Sequence, residues 1–209
     1  MYKSVFKKFS YLEGSQHIAS EYALKGVERL IRTGKIRTVF EFGIGIGTIP
    51  YLIATLNNNC LYTGTESNNF CIKALNKNLE GILDKESFNH IENYNDYSGG
   101  KADLIIIDGK FNDYLFLKKI CHKNTLIIIE GDRKEQKDFI AKAYPNALIN
   151  FNTSISKNKS YSPFYNKNKN PFIGGYTLIR MNNNFMNRIK FLLNKIELSI
   201  KYRIRKFIR

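Results

Sequence analysis

The stretch VFEFGIGIGT, residues 39–48, decides the fold. Val39, Phe40 and Phe42 are apolar and β-prone, and they predict a buried strand. Three glycines follow, Gly43, Gly45 and Gly47, and they allow a sharp turn to which a ligand can come close. A helix predicted from Ile49 to about Leu56 would point its N-terminal amides back at that ligand. The stretch therefore predicts a strand, a ligand-binding turn and a helix in succession.

The spacing of these glycines distinguishes between nucleotide cofactors. A dinucleotide fingerprint, G-x-G-x-x-G counted from Gly43, would need glycine where Thr48 stands. The pattern here is E-x-G-x-G-x-G, beginning at Glu41, and it resembles motif I of the class I S-adenosylmethionine (SAM)-dependent methyltransferases. The resemblance implies that the turn passes under the amino acid and ribose of SAM, and that Glu41 helps to hold the methionine ammonium.

Composition limits the class of protein. The chain has 209 residues, enough for one domain with a core, and a net charge of +15, which favours an anionic partner such as lipid headgroups, nucleic acid or an acidic substrate. Its three cysteines lack metal-like spacing, which favours reduced thiols. No segment is apolar enough for a signal peptide or a membrane span. We expect a cytoplasmic protein.

Strands and helices alternate along the chain, which predicts an α/β sandwich. Strands are expected at 38–42, 61–66, within 88–94, and at 102–108, 125–130, 147–151 and 175–180; helices are expected at 15–33, 49–56, 69–83, 113–121 and 134–143. The last two strands lack a helix between them, so they should be antiparallel. This ending is similar to the seven-stranded methyltransferase sheet, of order 3-2-1-4-5-7-6. The resemblance covers about residues 15–181 and gives a domain at 1–181 followed by a helix at 182–209.

Further cofactor residues follow the second and third strands. Glu66 ends the second strand, where a carboxylate can accept hydrogen bonds from ribose hydroxyls. Ser67 would lie next to the adenosine. Asp96 precedes the fourth strand, where the resemblance implies a polar side chain against the adenine amino group.

The segment Ile107-Asp108-Gly109 resembles that of several O-methyltransferase groups, in which the aspartate faces the acceptor or binds a metal. Asp108 is therefore a candidate for both catalysis and cofactor binding, and Lys110 is a second catalytic candidate. The N/D-P-P-Y/F segment typical of nucleobase amino-methyltransferases is missing. A divalent cation could be held by Asp108, Glu130 and Asp132. Metal-dependent relatives have Asn where Gly131 stands, so a metal-free site is favoured.

Two other segments could cover this site. Gln16 and His17 precede the first predicted helix, and His17 is a further candidate base. The insert 152–173 carries four lysines, no acid and several aromatic residues. It would favour an anionic acceptor and could stack on a base or a sugar ring.

The last 28 residues contain eight Lys and Arg against Glu197 alone. Their apolar residues recur at steps of three and four, which predicts a basic amphipathic helix over 185–209. Such a helix could lie on an anionic membrane, pack on its own domain or on a second subunit, or bind nucleic acid; a membrane or partner role is favoured because the domain already looks complete.

The sequence thus predicts a cytoplasmic SAM-dependent methyltransferase, peripheral at the inner face of the membrane, that acts on an oxygen of a small-molecule or glycan acceptor. The alternatives are an RNA methyltransferase and a methyltransferase-like binding subunit without activity. The sequence is also compatible with a homodimer.

Overall fold

The computed structural model describes residues 1–56, 59–82, 86–109, 111–157 and 172–208. The predicted Lys110 and most of the insert 152–173 lie outside these ranges. The strands are β1 (Thr38–Phe42), β2 (Leu61–Thr65), β3 (Phe88–Ile91), β4 (Leu104–Ile107), β5 (Leu126–Glu130), β6 (Leu148–Thr153) and β7 (Gly175–Arg180). The helices are α1 (Tyr2–Ser10), α2 (Glu21–Ile31), α3 (Thr48–Leu56), α4 (Asn69–Leu79), α5 (Tyr114–Ile120), α6 (Lys134–Ala143) and α7 (Phe185–Phe207).

The predicted sheet is confirmed. The seven strands have the order β3-β2-β1-β4-β5-β7-β6, and β7 is antiparallel to both of its neighbours while the others are parallel. The unbroken apolar run of β4 is buried throughout, as expected for a central strand covered on both faces. The carboxyl ends of β1, β2, β4 and β5 therefore meet at one edge of the sheet.

Helices cover both faces of the sheet and divide the core into two layers. Helices α1 to α4 pack on the face to which Val39 and Ile106 point. Helices α5 and α6 pack on the opposite face, against Phe40, Ile105 and Ile107. The alternation of strand residues between these layers follows from the two-residue period of a strand.

The first predicted helix, 15–33, begins later than expected. Residues Ser15–His17 form a separate 3₁₀ turn, and Ile18 is extended. Helix α2 starts after Ser20, whose hydroxyl accepts a hydrogen bond from the Ala23 amide and so caps the helix. The segment before this cap is therefore free to lie over the glycine turn.

Candidate active site

The glycine turn connects β1 to α3 at the carboxyl edge of the sheet. Gly43, Gly45 and Gly47 have φ values of 84°, 60° and 95°, in the left-handed region that favours glycine. The amides of Gly43 and Ile44 both donate to the carbonyl of Thr65 at 3.0 Å, which ties the turn to the end of β2. All three glycines are thus required by backbone conformation.

Close approach to the turn comes from the chain itself at Gly45. A Cβ added to Gly45 would lie 2.1 Å from the His17 carbonyl oxygen, because the 3₁₀ turn Ser15–His17 passes over it. A Cβ on Gly43 would face the backbone of Asp108 and Gly109 at 3.4 Å or more. The segment containing Gln16 and His17 therefore covers part of the glycine turn, and both of these side chains are exposed.

Glu66 links the glycine turn to the end of β2. Its carboxylate accepts hydrogen bonds from the backbone amides of Gly45 at 2.8 Å, Ser67 at 3.0 Å and Asn68 at 2.9 Å. These bonds fix the orientation of the carboxylate. Ser67 itself is exposed next to it.

Glu41 lies beneath the turn and is buried. Its carboxylate accepts a short hydrogen bond from the hydroxyl of Tyr62 on the neighbouring strand. Burial raises the pKa of Glu41 well above its usual range, and the nearby carboxylates of Asp108 and Glu66 raise it further, against the lowering effect of the Tyr62 hydroxyl. Glu41 thus has a polar partner within the protein, which sequence analysis missed because Tyr62 reads as an ordinary strand residue.

Asp108 and Glu130 stand side by side at the ends of β4 and β5, joined by a cation. Nη2 of Arg133 lies 2.9 Å from Oδ1 of Asp108 and 3.7 Å from Oε2 of Glu130. Nη1 of the same guanidinium donates to the Gly109 carbonyl at 3.0 Å, and the Gln136 amide donates to that carbonyl too. Arg133 therefore contacts both carboxyl groups and also holds the loop after β4.

The pKa of Asp108 is raised to about 8. Burial is the main cause and the Glu130 carboxylate adds to it, while Arg133 lowers the pKa. The Asp108 side chain nevertheless keeps 21% of its surface exposed. A carboxyl group of this kind can exchange a proton near neutral pH.

The three oxygen ligands considered for a metal are not brought together. Asp132 pairs with Lys137, and Arg133 lies between Asp108 and Glu130. Within the described ranges, no group of three or more His, Cys, Asp or Glu side chains could hold a metal ion. The guanidinium supplies one positive charge beside these two carboxyl groups.

Aromatic side chains form a wall beside the site. The Phe111 ring packs on the Phe42 ring with centroids 4.1 Å apart and planes tilted by 33°, and Tyr94 meets Phe111 edge-on at 5.8 Å. Tyr94 begins the 3₁₀ turn Tyr94–Asp96, which leaves Asp96 exposed. Sequence analysis missed this wall and Arg133, although Phe111 and Arg133 lie in segments that directly follow predicted strands.

The site is acidic within a basic protein. Glu41, Glu66, Asp108 and Glu130 lie close enough to raise the pKa values of Glu41 and Asp108, whereas the chain as a whole carries +15. Low-dielectric clefts concentrate the potential of the charges that line them. A ligand that carries positive charge would favour the ionised forms of Glu41 and Asp108 at this edge of the sheet.

Comparison with known proteins supports the fold through structures alone. No family model and no curated protein matches the sequence. The precorrin-6y C5,15-methyltransferase of Geobacter metallireducens is similar, with 10% identity and a TM-score of 0.62 over 82% of this chain and 94% of that one. So is the O-methyltransferase TomG of Streptomyces achromogenes, solved with SAM, with 11% identity and a TM-score of 0.55 over 87% of each chain.

A third similar structure is the ribosomal protein L11 methylase of Lactobacillus delbrueckii, with 17% identity and a TM-score of 0.53 over 81% of this chain and 80% of that one. These three proteins differ in the acceptor that their names indicate. The predicted class I methyltransferase fold is confirmed, and the acceptor is a separate question.

Proposed function

We propose that this chain is a SAM-dependent methyltransferase that methylates an oxygen of a small-molecule or glycan acceptor. The observation that carries the proposal is the hydrogen bond from the Gly45 amide to Glu66, which joins the glycine turn to an acid at the next strand end. A carboxylate has about four acceptor positions, and backbone amides use three of those on Glu66. The remaining one suits a ribose hydroxyl.

The residues at the edge of the sheet fit SAM in charge and shape. When bound, SAM supplies a methyl group activated by a positively charged sulfur. Burial raises the pKa values of Glu41 and Asp108 because it disfavours their ionised forms. A cationic ligand beside them would stabilise those ionised forms. We assign Glu41 to the ammonium side, and Asp96, Tyr94 and Phe111 to the adenine side, where aromatic rings can stack on a base.

Asp108 is the residue that we assign to the acceptor proton. Its pKa of about 8 lies close to neutral pH, which suits a general base. Arg133 holds the carboxylate in place from one side and leaves part of it exposed. Alignment of the acceptor oxygen supplies much of the remaining acceleration. Lys110, outside the described residues, remains a second candidate.

The sequence at the end of β4 favours an oxygen acceptor over a nucleobase nitrogen. The chain has Ile107-Asp108-Gly109 at the end of β4, without the proline pair typical of amino-methylation. The lysines of the insert 152–173 favour an anionic acceptor.

Methyl transfer into cell extracts tests this proposal. The purified chain is incubated with methyl-labelled SAM and either a cell-envelope extract or an RNA extract, and labelled products are identified by mass spectrometry. We expect label in a small molecule or glycan of the envelope extract, lost in Asp108→Asn and retained in Asp132→Asn. Label in RNA alone would contradict the acceptor class.

A binding subunit without activity is the second candidate, favoured by the ion pair that occupies Asp108. It predicts that SAM binds while neither extract is labelled. That outcome would contradict the catalytic role of Asp108 and leave the cofactor site intact.

A further inference from the structure

Helix α7 is attached to the domain by one side, through polar contacts near its C-terminal end. Near its C-terminal end, Nε of Arg205 donates to the Ser154 carbonyl at 2.7 Å, and the guanidinium lies 4.1 Å from the centre of the Phe172 ring. One turn earlier, Nζ of Lys201 contacts the Tyr22 hydroxyl of α2 at 3.5 Å. The same side continues toward the N-terminus through the half-buried residues Leu198, Asn194, Phe191 and Asn187.

The apolar side of α7 faces away from the domain. Phe185, Leu192, Leu193, Ile196 and Ile200 are each 53–75% exposed. At 3.6 residues per turn these side chains share one face, opposite the attached side. We call them the outer stripe. Among the described residues, the outer stripe is therefore not packed on its own domain.

Positive charges border the outer stripe. Helical geometry places Arg188, Lys195 and Lys206 along one flank and Lys190 along the other. Arg203 lies within the stripe, where a long side chain can keep its charge at a polar surface while its stem stays among apolar groups. Glu197 is engaged by Lys201. The exposed side of the helix is therefore apolar in the middle and basic at its margins.

These charges decide between the candidate occupants. A second copy of the chain would bring two basic margins together and repel, and a neutral apolar partner would leave the margins unpaired. An anionic lipid surface satisfies both features, because headgroups attract the margins while the stripe enters the headgroup–acyl boundary. Among the described residues no helix meets the length and apolarity needed to cross a bilayer, so the contact would be lateral.

We propose that α7 lies flat on an anionic lipid bilayer through the outer stripe. The helix begins beside the amino edge of the sheet, where Asn182 donates to Asn124 at 2.9 Å, and ends at the carboxyl edge, where Arg205 meets Ser154. Docking along α7 would turn the β6 side of the sheet toward the membrane, with the carboxyl edge that carries Glu66 and Asp108 at the Arg205 end of the helix.

Vesicle co-sedimentation of the full chain tests the proposal. The vesicles are phosphatidylcholine alone, or phosphatidylcholine mixed with phosphatidylglycerol. We expect binding to the anionic vesicles about tenfold above the neutral ones, with a decline as salt is raised. The variant Leu192→Ser/Ile196→Ser/Ile200→Ser should lose this binding. Its control, Leu115→Ser on α5, removes a leucine that is even more exposed (77%) and should bind like the wild type.

Three results would overturn the proposal. The first is equal pelleting of the wild type and the outer-stripe variant. The second is a wild-type dimer in light scattering that the variant dissociates, with no vesicle binding by either. The third is retention on RNA but not on anionic vesicles. Because the substituted residues are exposed, the variant should keep the wild-type melting temperature, which separates loss of docking from loss of folding.

Discussion

Replacing Arg133 by glutamine should raise the pKa of Asp108 further. The guanidinium lies 2.9 Å from the carboxylate and is the cation that opposes the effects of burial and of Glu130. Glutamine keeps a hydrogen-bond donor, on a shorter side chain, and removes the charge. The ionised carboxylate of Asp108 then loses its main stabilising partner.

The size of this effect follows from the geometry. Two unit charges about 3 Å apart interact by about 6 kcal/mol at an effective dielectric constant of about 20. Both side chains keep part of their surface in water, at 35% for Arg133 and 21% for Asp108, so much of this energy is screened. A carboxylate beside an arginine usually has its pKa lowered by about one to three pH units. We expect a rise of about one to two pH units, equivalent to about 1.4–2.7 kcal/mol.

Carboxyl ¹³C NMR titration of the protein measures this directly, with Asp108 assigned through Asp108→Asn. The wild-type resonance should titrate near the value of about 8, and the Arg133→Gln resonance at higher pH. Lys137→Gln is the matched control, since it removes a charge from α6 that pairs with Asp132 instead. A wild-type Asp108 that titrates in the ordinary aspartate range, or an unchanged midpoint in Arg133→Gln, would refute the reasoning.

Two further predictions concern the free protein. Gly45→Ala should destabilise the chain by about 2–4 kcal/mol, because alanine at a φ of 60° is strained and its Cβ would meet the His17 carbonyl. The control is Gly34→Ala, at a φ of 67° with open space around it, which should destabilise the chain by only about 1 kcal/mol. Chemical denaturation of both variants measures the difference, and equal losses would show that the 3₁₀ turn does not cover Gly45. The second prediction concerns pH. The stability of the cofactor-free chain should fall as the pH rises from about 4 toward the Asp108 pKa of about 8. Over that window the folded state keeps a proton on Asp108 that the unfolded state has released. Asp108 contributes at most about 1.4 kcal/mol per pH unit to the slope of stability against pH. Thermal melts should show a smaller slope in Asp108→Asn than in the wild type, and an unchanged slope in Asp132→Asn. An equal slope in both variants would contradict the raised pKa of Asp108.

The fold could be predicted because its signals are local. The continuous apolar run of β4 has to be buried on both faces, and the missing helix before β7 forces an antiparallel pair. The predicted start of α2 was wrong. Apolar residues at helical spacing continue upstream of Ser20, but the serine cap and the extended Ile18 decide where the helix begins. Periodicity alone does not register a cap.

The site could be predicted only in part, because its interacting residues are far apart in the sequence. The acids at strand ends are visible in sequence, whereas their partners depend on which strands are neighbours. Tyr62 reaches Glu41 because β2 lies beside β1, and Arg133 reaches Asp108 because β5 lies beside β4. Likewise, the periodicity of α7 indicates an apolar face, but only contacts such as Arg205 with Ser154 determine that this face points outward.

Calorimetric titration of SAM into the chain tests the central claim most directly. The wild type should bind one equivalent, and Glu66→Gln should bind about 10- to 100-fold more weakly, because a charged acceptor for a ribose hydroxyl is lost. Glu80→Gln, an exposed glutamate at the end of α4, should bind like the wild type. Absence of binding heat in the wild type, or equal affinity in Glu66→Gln, would contradict a SAM site at the ends of β1 and β2.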